Sequence, residues 1–141
     1  MSETEFTELK IGSSLRLHIP VDWQFSAAGD EFKAEAPEQA ASMTLKAGPG
    51  EDVMVEKLFQ SLLAEWQAVG FEPEGDITLS EDTAWLPMNL TGDTFHLMAA
   101  KVLKLGDTNL LSYFLFTLRD RETRTALQVD LLHIIESFQA S

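Results

Sequence analysis

The side chains of this sequence that are best suited to proton transfer or metal binding are those of its three histidines. His18 lies in an alternating stretch, His96 in a β-rich run and His133 near the carboxyl end of the chain. Two histidines four residues apart on a helix can bind one metal ion, and no pair here has that spacing. We therefore predict no metal site and no acid–base role, with His18 and His133 at the surface and His96 within a sheet.

The sequence lacks the motifs of nucleophilic and phosphate-transfer enzymes. It contains no cysteine, which excludes a thiol nucleophile and a thiolate metal site. It has no G-x-S-x-G elbow, and the loop "AGPGED" at 47–52 carries two acids and lacks the lysine of a phosphate-binding loop. We predict a turn here, with Asp52 as the N-cap of the next helix. We expect a protein that is not an enzyme and that needs no cofactor.

Charged residues are concentrated in two segments of opposite sign. The acidic segment lacks the glycine-punctuated spacing of a calcium loop, so we predict a solvated edge that can also meet a basic partner. The basic cluster precedes the final helix, where positive charge opposes the helix dipole. We expect it either to pair with the acidic segment or to form an interface. The two segments comprise Glu72, Glu74, Asp76, Glu81 and Asp82, and Arg119, Arg121 and Arg124.

The bulk properties indicate one soluble domain. The chain has 141 residues, of which 45% are hydrophobic, and its formal charge is −13. Such a charge repels nucleic-acid phosphates and anionic lipid headgroups, so we expect neither as a partner. The start "MSETEFTELK" lacks the basic and apolar regions of a secretion signal. We expect a cytoplasmic protein with a single domain over residues 1–141, frayed over residues 1–10.

Hydrophobic periodicity predicts a chain of short strands interrupted by two helices. The order β-β-β-α-β-β-β-β-α, with short turns between successive strands, predicts an α+β fold whose mostly antiparallel sheet has six to seven strands. Apolar residues at helical spacing before Gly70 define the first helix, and an amphipathic stripe defines the second. Strands are predicted over 15–19, 32–36, 43–46, 77–79 and 84–91, a hairpin over 94–118, and helices over 52–70 and 123–138.

The second strand of the predicted hairpin, "LLSYFLFTL" at 110–118, is apolar on both faces. Helices on opposite faces of the sheet would cover both faces within one chain. Helices on the same face would leave the other face for a partner or a second copy. Aromatic residues of the hairpin and of irregular segments, with part of the basic cluster, are our candidate partner-binding residues. They are Trp23, Phe25, Trp85, Tyr113, Phe114, Phe116, Arg119 and Arg121.

Several segments resemble the Mog1/PsbP-like superfamily, including its small bacterial PsbP-like and DcrB-like members. They are "LHIPVDWQF" with Pro20 and Trp23, "FKAEAP", "SMTLKAG" and the closing "IIESF". The resemblance spans nearly the whole chain and implies an α/β/α sandwich with helices on both faces of the sheet. Known members are binding or assembly factors: an accessory subunit of photosystem II, a regulator of nuclear transport that binds a small GTPase, and chaperones of secretion-system effectors. Those chaperones typically have a polar run after the tryptophan, where this chain has Gln24, Phe25 and Ser26.

We therefore expect a non-enzymatic protein-binding or adaptor domain. It would present an apolar surface beside the sheet, rimmed by acids, to a basic or apolar protein partner. A cytoplasmic chaperone for secretion-system effectors is an alternative within this class. A second alternative is a small-ligand-binding domain with a pocket between sheet and helix, lined by Tyr113, His96 and Trp85. A third is a structural subunit that forms a homodimer.

Overall fold

The computed structural model describes residues 4–12, 14–29 and 31–140. Within these residues the chain forms eleven strands, two α-helices and a short 3-10 helix at Pro37–Gln39. The strands are β1 Phe6–Ile11, β2 Leu15–Pro20, β3 Gln24–Ala28, β4 Glu31–Glu35, β5 Ala41–Gly50, β6 Phe71–Pro73, β7 Thr78–Leu79, β8 Thr83–Leu90, β9 Thr94–Leu105, β10 Thr108–Leu118 and β11 Gln139–Ala140, and the helices are α1 Val55–Ala68 and α2 Arg121–Ser137.

Most strands belong to one antiparallel sheet in the order β3-β4-β5-β10-β9-β8-β6, and β7 also pairs with β8. The hairpin of β9 and β10 is at the centre, with Leu105 opposite Thr108 across a two-residue turn. Gly106 begins this turn at a φ of 63°, a conformation that glycine adopts without strain. The predicted α+β fold and its mostly antiparallel sheet are confirmed.

The two helices cover opposite faces of this sheet. Alternation along β9 directs Leu97 and Ala99 to one face and Met98 and Ala100 to the other. α2 packs on the first face together with a small sheet of β1, β2 and β11, and α1 packs on the second. β9 is therefore covered on both faces within one chain, and β10 is buried on the α2 side and half-buried on the α1 side. Helices on both faces of the sheet confirm the α/β/α sandwich.

α1 covers the part of its sheet face formed by β6, β8 and β9. Beyond Tyr113 of β10, whose ring meets Trp66 of α1 edge-on at 6.4 Å, the same face becomes charged. Glu31 on β4 lies 3.3 Å from both Lys33 and Lys46, which belong to β4 and β5. Hydrogen bonds and the charges of these two lysines lower the pKa of the Glu31 carboxyl. This half of the face has polar side chains where the other half has α1.

The ends of the helices show how local sequence fixes their limits. Asp120 is the N-cap of α2, and its carboxylate accepts a hydrogen bond from the Thr123 backbone at 2.7 Å. α1 starts after Met54 and not after Asp52, so the predicted N-cap was wrong. Gly70 follows α1 with a φ of 110°, in agreement with its predicted place at the helix end.

The amino-terminal region differs most from the prediction. Residues 6–10, part of the stretch 1–10 that we expected to fray, belong to β1, which pairs with β2 along its whole length. Residues 24–28, which lie between two predicted strands, form the edge strand β3. β11 pairs with β2 through Gln139 opposite Arg16. The small sheet that results joins segments from both ends of the described chain, a pairing that local periodicity does not reveal.

Candidate functional site

An apolar groove lies between the amino-terminal end of α1 and the connection from β7 to β8. Its volume is about 760 Å³, and Val102 and Leu103 of β9 line it. Met54, the residue before α1, is 71% exposed, and Leu79 of β7 is 46% exposed. Exposed apolar side chains that share one concave surface indicate a contact site, whereas scattered ones do not. We call this surface the α1 groove.

Acidic side chains surround the α1 groove. Glu56 lies in the first turn of α1, where the helix dipole favours a negative charge. Glu81 and Asp82 come from the predicted acidic segment and reach the groove because β7 turns back onto β8. Lys104 is the basic residue among the groove's lining residues. The carboxylates that line the groove are Asp52, Glu56, Glu81 and Asp82.

Glu74, from the same acidic segment, pairs instead with the basic cluster. Arg121 donates to Glu74 Oε2, and Arg124 Nη2 lies 2.6 Å from Glu74 Oε1 as an ion pair rather than an aligned hydrogen bond. Burial alone would raise the pKa of the Glu74 carboxyl, but the two arginines outweigh it and lower that pKa. We had expected the basic cluster either to pair with the acidic segment or to form an interface. Arg121 and Arg124 pair with the acidic segment through Glu74, and Arg119 contacts its neighbour Asp120.

Arg124 is a structural residue of the interior. The residue is 7% exposed, and its side chain donates to the backbone carbonyls of Met88 and His96, at 3.0 and 3.3 Å. These bonds attach the first turns of α2 to β8 and β9. The sequence placed Arg124 in a basic cluster, and nothing in the spacing indicated that it would be buried.

A cavity of about 450 Å³ lies between β8, β9 and the carboxyl end of α2. Lys101 of β9 is 2% exposed and donates to the carbonyls of Ile135 and Glu136, both at 2.9 Å. Its burial lowers the pKa of the ammonium group, against the opposing charges of Asp82 and Glu136. The cavity is lined by Trp85 together with hydroxyl, amide and charged side chains.

The pocket that we predicted from Tyr113, His96 and Trp85 does not form. Trp85 of β8 is opposite Ala99 and faces α2, whereas Tyr113 and His96 lie on the face toward α1. His96 is buried within the sheet as predicted, between the hydroxyls of Thr94 and Thr117. Burial is the main reason why the pKa of His96 is lowered.

The candidate partner-binding residues fall into different environments. Phe114 and Phe116 are 0% exposed and Trp23 is 9% exposed, all within the core on the α2 side. The structure therefore corrects the prediction for these three, because their side chains cannot meet a partner while the sheet is intact. Phe25 on the edge strand β3 is 38% exposed. Phe25, Trp85, Tyr113, Arg119 and Arg121 remain accessible candidates.

Across the described ranges, no cluster of three or more histidine, cysteine, aspartate or glutamate side chains is arranged to hold a metal ion. No helix in the same part of the chain has the length and apolar character that crossing a membrane requires.

Solved structures with similar folds are found at low sequence identity. The Ran-binding protein Mog1p of Saccharomyces cerevisiae matches with a TM-score of 0.63 and 10% identity, over 96% of this chain and 95% of that chain. The PsbP protein CyanoP of Synechocystis matches with a TM-score of 0.60 and 9% identity, over 99% of this chain and 95% of that chain. LpqN of Mycobacterium tuberculosis, which is involved in cell envelope biogenesis, matches with a TM-score of 0.61 and 17% identity, over 99% of this chain and 92% of that chain.

No protein-family model and no curated protein matches the sequence. The three structural matches cover nearly the whole of both chains, with TM-scores of 0.60 to 0.63. The chain therefore has the Mog1/PsbP-like fold.

Proposed function

We propose that the protein is a non-enzymatic, cytoplasmic adaptor that binds a helical segment of a protein partner in the α1 groove. The observation that carries this proposal is the concave surface with Met54 and Leu79 exposed inside a ring of carboxylates. The structural neighbours support a binding role in general terms, since Mog1p binds Ran.

The charges around the α1 groove determine what kind of segment fits it. An amphipathic helix that inserts apolar side chains and places lysine or arginine at its flanks would satisfy both the floor and the rim. The formal charge of −13 makes a second copy of this chain a poor occupant, because like charges repel at the rim. A chaperone for apolar effector helices would use the same groove. The helix that we propose differs from such an effector helix in having lysine or arginine at its flanks.

A designed helical peptide provides the test of the α1 groove. We expect a labelled peptide with a leucine face and lysine flanks to bind the wild-type protein in fluorescence anisotropy, and to bind at least about tenfold more weakly to Met54→Asp. A negative charge at position 54 removes apolar contact and must be desolvated when the peptide binds.

Val129→Asp is the matched control, because Val129 is 78% exposed on α2, outside the α1 groove. It makes the same kind of change and should leave the affinity unchanged. Equal loss in both variants, or equal binding of a peptide whose lysines are replaced by glutamine, would contradict the proposal. Protein mass measured by light scattering over the same concentrations separates peptide binding from self-association.

A second candidate function rests on the cavity beside Lys101. Two of the three hydrogens of its ammonium group reach the Ile135 and Glu136 carbonyls, and Asp82 and Trp85 line the same space. A small molecule with both a carboxylate and an amine, such as a free amino acid, would complement these charges. We expect free amino acids at millimolar concentration to raise the melting temperature of the wild-type protein and to leave the melting temperature of Lys101→Met unchanged. An equal rise in melting temperature in both proteins would exclude this function.

A further inference from the structure

His18 and His133 meet in the folded chain although 115 residues separate them in the sequence. Nδ1 of His18, on β2, lies 3.3 Å from Nε2 of His133, on α2. Without a metal ion the two rings can share a hydrogen bond, whose donor depends on which nitrogen carries the proton. Neutral imidazole is also the commonest metal ligand in proteins, through either of its two nitrogens.

The distance between the two nitrogens matches tetrahedral zinc coordination. Zinc lies about 2.0–2.1 Å from a histidine nitrogen, and at the tetrahedral angle two such nitrogens are about 3.3 Å apart. A square-planar copper ion would need them closer, at about 2.8–2.9 Å. The separation of 3.3 Å in this structure is compatible with zinc.

Neighbouring residues hold both rings in place. Glu8 lies opposite His18 in the β1–β2 ladder, and its carboxylate is 3.5 Å from Nε2, the second nitrogen of the His18 ring. A carboxylate in this position orients a metal-binding histidine and makes it a better ligand. Phe6 stacks on the His133 ring at 3.9 Å between centroids. Ser137 accepts a hydrogen bond from the His18 backbone at 2.8 Å, which fixes α2 against β2.

The same surface has room for the remaining ligands of the ion. A cavity of about 270 Å³ is lined by both histidines and by Glu136, which is one helical turn from His133. Zinc sites that are open to solvent complete their coordination with water.

We propose that His18 Nδ1 and His133 Nε2 bind one Zn²⁺ ion at the junction of the small sheet and α2, with water in the remaining positions. Such an ion connects β2 to α2. It is independent of the α1 groove, because α1 packs on the other face of the large sheet.

Zinc titration of the full chain, freed of metal by a chelator, tests this site. We expect calorimetry to give one ion per chain with micromolar affinity, and we expect His18→Gln and His133→Gln each to abolish this binding event. Glu8→Gln should weaken it by at least about tenfold, the effect expected when the residue that orients a metal ligand is lost. Zinc should also raise the melting temperature of the wild-type protein, and of neither histidine variant.

The controls separate this site from other zinc binding by an acidic protein. His96→Gln alters the third histidine, which is buried elsewhere in the sheet, and should keep the stoichiometry and affinity of the wild-type protein. Zinc binding that persists in His133→Gln, or a zinc-dependent dimer in light scattering, would overturn the proposal, because the ion would then be held by carboxylates or by two chains. Circular dichroism of each variant without metal shows whether the fold is intact.

Discussion

Phe114→Ala is expected to lower the free energy of unfolding by about 4 kcal/mol, because it removes a large aromatic side chain from the centre of the core. Phe114 is 0% exposed, lies parallel to Phe116 at 6.1 Å between centroids and meets Phe138 of the chain's carboxyl-terminal region edge-on at 5.7 Å. The space left by the ring borders both α2 and the sheet, and neither can move far into it. Urea unfolding followed by circular dichroism measures the change.

Phe25→Ala is the matched control for this measurement. Phe25 is 38% exposed on the edge strand β3, so the same substitution should cost less than about 1 kcal/mol. An equal loss of unfolding free energy in Phe114→Ala and Phe25→Ala would mean that β10 is not buried on the α2 side. The denaturant slope should stay the same in both variants, since neither changes the surface exposed on unfolding by much.

Glu74→Gln is expected to destabilise the protein by about 2 kcal/mol. The change leaves the guanidinium of Arg124, which is 7% exposed, without its carboxylate. Breaking a buried ion pair from one side costs about 3–5 kcal/mol, and two backbone carbonyls that still bind Arg124 reduce this value. Glu72→Gln, two residues away and exposed, is the control and should stay within about 0.5 kcal/mol of the wild-type protein.

The pH dependence of the stability of the wild-type protein and of Glu74→Gln gives a second test of this ion pair. Because the folded-state pKa of Glu74 lies below the ordinary value of 4.5, its contribution is complete above pH 4.5 and is lost as the pH falls through the folded-state pKa. The difference in stability between the wild-type protein and Glu74→Gln should therefore be constant near neutral pH and shrink on acidification below pH 4.5. A difference that is absent at pH 7 would show that the backbone carbonyls alone stabilise Arg124.

The local sequence correctly predicted those helices and strands whose apolar residues recur at regular spacing. The hairpin of β9 and β10, the closing helix and the glycine that ends α1 were found as expected, because each depends on nearby residues. β1 was not predicted, since its outward residues are polar and its pairing with β2 is what makes it a strand. The 10-residue β5 was predicted as a short strand, because Gly48 and Pro49 suggested a turn, yet both pair with β10.

The proposed binding surfaces were harder to predict from the sequence, because they combine segments that are distant along the chain. The acidic segment predicted carboxylates for a partner, but Glu74 turned inward to Arg124 while Glu81 and Asp82 lined the α1 groove. The aromatic residues of β10 indicated a contact surface, and the structure instead places Phe114 and Phe116 under α2. The alternation of side chains along a strand shows which residues share a face of the sheet, but it does not show how much of each face a helix covers.

The small sheet has a consequence for biosynthesis. β2 can pair with β1 as soon as both strands have left the ribosome, but its other contacts arrive late. The His18 backbone bonds to Ser137, 119 residues further along, and β11 pairs with β2 at Arg16 after that. During translation the part of the sheet face that lies under α2 therefore stays uncovered after β9 and β10 have been made, and only β1 and β2 can pack on that face. Nascent chains that stall before residue 121 would lack α2 and would expose the apolar side chains beneath it, which favours aggregation.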